Sequence, residues 1–107
     1  RAFCHGDLGY WNMIVAPDGQ LGIIDFGDCG YYDRAKDFSS LEHDDLRERA
    51  LQVYGANDLL RERVALRRRL LPVVDLPFYI GKQDEEGIAK TVARIRSVLD
   101  ERIEKNE

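Results

Sequence analysis

The chain is poor in features that would reveal its class at once. It has only two cysteines, Cys4 and Cys29, in 107 residues. They form no CxxC pair and no disulfide framework, so reduced thiols in a cytoplasmic protein are the expectation. Zinc held by Cys4, His5, Cys29 and His43 would need a spacing that matches no usual ligand pattern. No apolar run approaches the roughly 20 residues of a membrane span. The start is not the basic-then-apolar pattern of a signal peptide. Basic residues are not in excess either. The net charge of −4 argues against nucleic acid as a partner and is compatible with a cationic ligand. Internal repeats and low-complexity linkers are absent.

What remains is an ordinary globular mixture, 44% apolar and 34% charged, of a length that suits one domain or part of one. The chain begins at Arg1 and enters a motif at His5. Because active sites rarely stand at the start of a natural protein, residues 1–107 are read as a single partial domain.

Residues 1–11 read as a loop anchored by a buried Phe3. Met13, Ile14 and Val15 are apolar in a row and suggest a strand over Asn12–Ala16. Ala16-Pro17-Asp18-Gly19-Gln20 is a turn signal: Pro17 presets φ, and Gly19 accepts positive φ. Leu21 to Asp25 is the return strand, and its two apolar faces predict a buried hairpin. From Asp33 the pattern is helical. Asp33 can cap a helix through Phe38 and Leu41. Leu46, Ala50 and Val53 mark a second helix that Gly55 stops. Asn57 or Asp58 caps a third, with Leu59, Leu66, Leu70 and Val73 or Val74 along one side; Pro72 should kink or end it, and Pro77 interrupts it again. The Arg67-Arg68-Arg69 run reads as a solvated face. Ile88, Val92, Ile95 and Leu99 form the stripe of a last helix. The expected fold class is therefore α+β, mostly helical: one β-hairpin with about four helices, the hairpin within residues 1–30 and the helices within 31–107.

The chemistry concentrates in His5-Gly6-Asp7-Leu8-Gly9-Tyr10-Trp11-Asn12 and in Asp25-Phe26-Gly27-Asp28, with the hairpin between. If Ala16 pairs with Leu21, Asn12 lies opposite Asp25, and directly opposed residues share a face. An amide and a carboxylate placed together suit Mg²⁺, which keeps waters and takes few protein carboxylates. A one-residue bulge at the turn would shift that register. Asp7, in the loop before the first strand, can orient a substrate hydroxyl and accept its proton. The spacing H-x-D-x-x-x-x-N followed by D-F-G after a hairpin is that of phosphoryl-transfer sites.

These residues, with Gly30-Tyr31-Tyr32-Asp33-Arg34-Ala35-Lys36-Asp37-Phe38, resemble the aminoglycoside phosphotransferase and choline kinase group of kinase-like enzymes, and most nearly the aminoglycoside 2″-phosphotransferases. The resemblance is motif-grade over the first 40 residues and fainter beyond. It implies part of the C-terminal lobe of a kinase-like fold. It makes Asp7 the catalytic base, Asn12 and Asp25 the ligands of Mg²⁺, and ATP or GTP the phosphoryl donor. It makes His5 and Asp37 structural supports of the catalytic loop. Family members often carry Pro or His between the Asp and the Asn; here Leu8-Gly9-Tyr10-Trp11 fill that space, and Tyr10 and Trp11 are expected to pack under the loop rather than to stack on the substrate. The resemblance also implies an N-terminal nucleotide-binding lobe as a partner, whose phosphate-covering loop, lysine and glutamate are not in this sequence. The isolated chain is accordingly expected to turn over negligibly and to self-associate through uncovered apolar surface.

The motif leaves the acceptor open. Asp28, Asp33, Glu42, Asp44 and Asp45 make the segment after the DFG acidic, as a polycationic aminoglycoside would require. Solvation explains Glu42 to Asp45 as well, while Asp28 adjoins the metal motif; Asp28 and Glu42 are the candidate substrate contacts. Choline, methylthioribose, fructosamine and homoserine are acceptors elsewhere in the superfamily, and a non-catalytic binding module is the competing class. A protein kinase is disfavoured because no APE-like segment precedes the helices.

Overall fold

The computed structural model describes residues 1–106, with side chains to residue 101. The fold is α+β and mostly helical, with two small antiparallel sheets and four α-helices. The strands are β1 (Ala2–Cys4), β2 (Met13–Val15), β3 (Leu21–Ile23) and β4 (Gly30–Tyr32). The helices are α1 (Ala35–Ser39), α2 (Asp44–Tyr54), α3 (Asp58–Gly81) and α4 (Glu85–Asn106). By internal packing the chain forms two compact units, Arg1–Arg68 and Arg69–Glu107.

In the first unit, β2 and β3 are the expected hairpin, but in a different register. Met13 pairs with Ile23, Ile14 with Gly22 and Val15 with Leu21. The cause lies in the turn. The Gly19 N–H donates to the Ala16 carbonyl at 2.8 Å, and the Ala16 N–H donates to Gln20 at 2.8 Å. Gly19 sits at φ +87°, the left-handed residue that follows a type I turn in a bulged hairpin loop. Ala16 therefore faces Gln20, and the register moves by one. The Ile24 N–H donates to the Asn12 carbonyl at 2.9 Å, so Asn12 lies opposite Ile24 rather than Asp25.

The hairpin is not buried as expected. Ile14, Leu21 and Ile23 are exposed, and Val15 is 68% exposed, because a two-stranded ribbon covers neither of its own faces. Residues 2–4, read as loop, form β1 and pair with β4, Phe3 opposite Tyr31. Strand alternation buries Cys4 and turns Phe3 outward, where its ring meets Tyr31 edge-on at 5.5 Å. Phe3 is thus not the buried anchor that the sequence suggested.

The core of this unit is Ala35, Leu51, Leu60 and Val64, with Phe38 and Ala56 packed against it. Leu60 and Val64 are spaced i, i+4, on a different face of α3 from the expected stripe; Leu59, Leu66 and Leu70 are exposed. Helical period alone does not choose between two apolar faces. Asp33 Oδ1 accepts the Ala35 N–H at 2.9 Å, and Asn57 Oδ1 accepts the Leu60 N–H at 2.9 Å, so both helix starts are capped. Gly55, at φ +79°, ends α2 with bonds to the Leu51 and Gln52 carbonyls, as a left-handed cap does. Arg68 is half-buried and donates to the Ser39 carbonyl at 3.1 Å, so the arginine run is not only a solvated face.

Helix α3 ends at neither Pro72 nor Pro77, both of which lie inside it. Each proline removes one backbone donor, while the hydrogen-bond ladder on either side continues. In the second unit the end of α3 and α4 meet at a tight turn. There the Asp84 N–H donates to the Tyr79 carbonyl at 3.0 Å, and Asp84 Oδ1 accepts the Gly87 N–H at 3.0 Å. Ile88, Val92 and Ile95 are half-buried, but Leu99 is exposed. Among the described residues no helix is long and apolar enough to cross a membrane.

Candidate active site

The loop from His5 to Asn12 is held from behind. Asp37, on α1, accepts the backbone N–H of His5 at 2.8 Å through Oδ2 and that of Gly6 at 3.0 Å through Oδ1. Both donors belong to a loop that no ladder satisfies, and a partly buried carboxylate needs such partners. The His5 ring is buried and bonded at both nitrogens. Nδ1 accepts the Asp7 N–H at 3.1 Å, and Nε2 donates to the Ile24 carbonyl at 2.8 Å. These roles fix the tautomer, and the bond to Ile24 ties the loop to the residue before Asp25. Phe26 packs edge-on against the same ring at 4.7 Å.

Gly6 adopts φ +94°, and its backbone runs against Asp28: a Cβ there would lie 2.3 Å from the Asp28 carbonyl oxygen. Only glycine allows both the angle and the approach. This contact brings the DFG end of the chain against the loop.

Asn12 is 4% exposed and closes the loop. Its Nδ2 donates to the Asp7 carbonyl at 2.8 Å and to Asp7 Oδ2 at 3.2 Å. Its Oδ1 meets no donor among the described residues. Since no buried side-chain polar atom among the described residues lacks a partner, that oxygen is reachable from outside. Asp25 sits at φ +58°, a left-handed conformation that Asp tolerates better than most side chains and that concentrates at functional sites. Its Oδ1 accepts the Gly27 N–H at 3.3 Å, and its other oxygen is open.

The register that would put Asn12 and Asp25 on one face is not the one formed, and no hydrogen bond joins the two side chains among the described residues; what they leave open is one amide oxygen and one carboxylate oxygen. Among the described residues, no three His, Cys, Asp or Glu side chains form a group that could hold a metal ion. An amide oxygen and a carboxylate are hard oxygen donors, the kind that Mg²⁺ takes.

Asp28 and Glu42 have exposed side chains, and among the described residues their hydrogen bonds are made by their backbone carbonyls. The Asp28 carbonyl accepts Tyr32 OH at 3.1 Å, and the Glu42 carbonyl accepts Arg47 Nη1 at 3.4 Å. Asp28 touches Gly6, and Glu42 precedes His43, whose N–H donates to the Tyr10 hydroxyl at 3.2 Å. Tyr10 and Trp11 are not packed under the loop. Both are exposed, and the Trp11 Nε1–H donates to Asp7 Oδ2 at 3.2 Å. The sequence placed Trp11 under the loop and gave it no contact with Asp7; the signal available was its spacing of four from Asp7 with a glycine between. A cavity of about 290 Å³ behind the loop, lined by Cys4, Leu8, Asp37, Phe38 and Leu41 among others, includes none of Asp7, Asn12 and Asp25. Burial, with Asp37 nearby, pushes the Cys4 thiol above its usual range, which keeps it protonated and inert.

A half-buried carboxylate with one oxygen held by N–H donors can receive a proton through the other. An amide oxygen and a second carboxylate can neutralise phosphate charge through a hard cation. The family model described as the phosphotransferase enzyme family matches residues 1–72, a span that contains every residue of this site and the core beneath it. No curated protein and no solved structure matches the chain.

Proposed function

Because the chain belongs to the phosphotransferase enzyme family, we propose that it is the catalytic part of the C-terminal lobe of a kinase-like small-molecule enzyme. On this reading the enzyme moves the γ-phosphoryl group of ATP or GTP to a hydroxyl of an aminoglycoside. The observation that carries this reading is the bracing of one loop by Asp37, His5 and Asn12, which leaves Asp7 half-buried with a free oxygen.

Asp7 orients the acceptor hydroxyl and takes its proton as the new oxygen–phosphorus bond forms and the bond to the bridging oxygen breaks. The nucleoside diphosphate leaves with that bond's electrons. Asn12 Oδ1 and the Asp25 carboxylate would hold Mg²⁺, which neutralises charge on the phosphate oxygens. The loop backbone does not reorganise, because Asp37 and His5 already hold its N–H groups. Positioning of this kind is most of what phosphoryl transfer asks of a protein. The open carboxylates of Asp28 and Glu42 suit a polycationic acceptor, and the free thiols Cys4 and Cys29 fit a reducing cytoplasm.

The test is an assay of the full-length protein with Mg-ATP and Mg-GTP against aminoglycosides, choline, methylthioribose, fructosamine, homoserine and peptides. We expect a phosphorylated aminoglycoside by mass spectrometry and a rate reduced by about 10²–10⁴ in Asp7→Asn. Turnover of choline or a simple sugar alone would overturn the acceptor. A folded protein that phosphorylates nothing would overturn the activity and favour a binding module.

A further inference from the structure

We propose that Trp11 positions the Asp7 carboxylate and forms the aromatic wall against which the acceptor ring lies. This rests on the phosphotransferase reading above and adds to it a residue that the motif does not name.

Two N–H groups converge on one oxygen of Asp7. Trp11 Nε1–H and Asn12 Nδ2–H each reach Oδ2 at 3.2 Å. Oδ1 has no donor among the described residues, so the pair selects Oδ1 as the oxygen that faces the acceptor hydroxyl and receives its proton. A carboxylate gripped by one donor can still swing about its terminal torsion, which is broad and soft. Two donors from different side chains on the same oxygen restrict it.

The indole is itself seated. Residues 10–12 form a single 3₁₀ turn, which carries Trp11 back over the loop. A Cβ on Gly9 would lie 2.3 Å from the ring, so the ring rests directly on the Gly9 backbone. Despite that seat Trp11 is 58% exposed. An indole fixed along one edge, with its surface open beside a reactive carboxylate, is a stacking platform. Tyr10 stands next to it, exposed, with its hydroxyl held by the His43 N–H. The chemistry of such a wall favours a saccharide or cyclitol ring carrying ammonium groups, through its apolar ring face and through cation–π attraction.

Trp11 is the sole tryptophan, so its emission reports the contact without any turnover. In the chain itself, Asp7→Ala should change the intensity of that emission, while Asp18→Ala, in the hairpin turn, should leave it as in the wild type. An identical spectrum in Asp7→Ala would overturn the contact. In the full-length protein Trp11→Phe keeps a ring and loses the donor. It should lower kcat about ten-fold with KM within about twofold, since the lost hydrogen bond acts on the reacting group. Trp11→Leu loses both and should also raise KM about ten-fold. Wild-type kinetics in Trp11→Phe would overturn the positioning role, and an unchanged KM in Trp11→Leu would overturn the wall. Circular dichroism checks that both variants are folded. If emission depends on Asp7 but the full-length protein phosphorylates no acceptor, the contact stands and the phosphotransferase reading fails.

Discussion

Asp37 holds His5 by its main chain: the carboxylate accepts the His5 N–H at 2.8 Å across 32 positions of sequence. The same carboxylate takes the Gly6 N–H, and the His5 ring then reaches Ile24. One acidic side chain and one imidazole thus join α1, the loop and the residue that follows β3.

Removing either should cost stability as well as activity. Asp37→Ala strands two backbone donors and should lower the unfolding free energy by about 2–4 kcal/mol; His5→Ala should cost about 2 kcal/mol. Urea denaturation measures both. A loss under about 0.5 kcal/mol in either variant would mean the loop is held by something else.

Two glycines with positive φ should respond differently to the same change. At Gly19 a Cβ meets nothing within 4 Å, so Gly19→Ala should cost only the backbone strain, about 1 kcal/mol. At Gly6 the Cβ strikes the Asp28 carbonyl, and the loop must move. Gly6→Ala should cost clearly more than Gly19→Ala and should also depress turnover of the full-length protein. Equal melting temperatures for the two variants would contradict the close approach of Gly6 to the Asp28 carbonyl.

Asp33 supplies the pH dependence. The Ala35 N–H first, and then Arg63 at 3.2 Å, hold its carboxyl below the usual aspartate range. A depressed folded value means that its contribution is present above the ordinary pKa of about 4 and is lost as pH falls through the folded value. Asp33→Ala should therefore lower stability at pH 7 by about 1 kcal/mol, mostly from the lost cap, because exposed ion pairs add little. The difference from wild type should shrink under acid. A gap that stays constant from pH 7 to pH 2 would rule out this linkage.

The uncovered hairpin should make the isolated chain associate. Val15 and Leu21 face each other and both are exposed, and exposed apolar strands invite pairing. Light scattering should show mass rising with concentration, and Val15→Lys should reduce the effect. A monomer at every concentration would argue against it.

Metal dependence should follow Asn12 and Asp25. EDTA should abolish turnover of the full-length protein. Asn12→Ala and Asp25→Asn should each raise the Mg²⁺ needed for half-maximal rate by about ten-fold or more, as loss of a ligand does. Unchanged Mg²⁺ dependence in both variants would remove them from the metal site.

The local chemistry of the chain was readable from residue order. Pro17 to Gly19 announces the turn, Gly55 the end of α2, Asn57 or Asp58 the start of α3, and the spacing from His5 to Asp25 the reaction class. These features depend on neighbours within a few residues, where backbone sterics and caps decide. Contacts between distant residues were not readable. The pairing of Ala2 with Tyr32 made a strand of what looked like loop and turned Phe3 outward. The bulge at Gly19 moved Asn12 opposite Ile24. The choice of Leu60 and Val64 over Leu59 and Leu66 depended on where Ala35 and Leu51 stood. The turn of Trp11 onto Asp7 depended on a bare Gly9 beneath the ring. For Phe3 and for the buried face of α3, packing against residues far off in sequence selected among the local solutions open to the chain; at Gly19 and Trp11 the choice fell within a few residues, between turn and rotamer geometries that residue types alone do not distinguish.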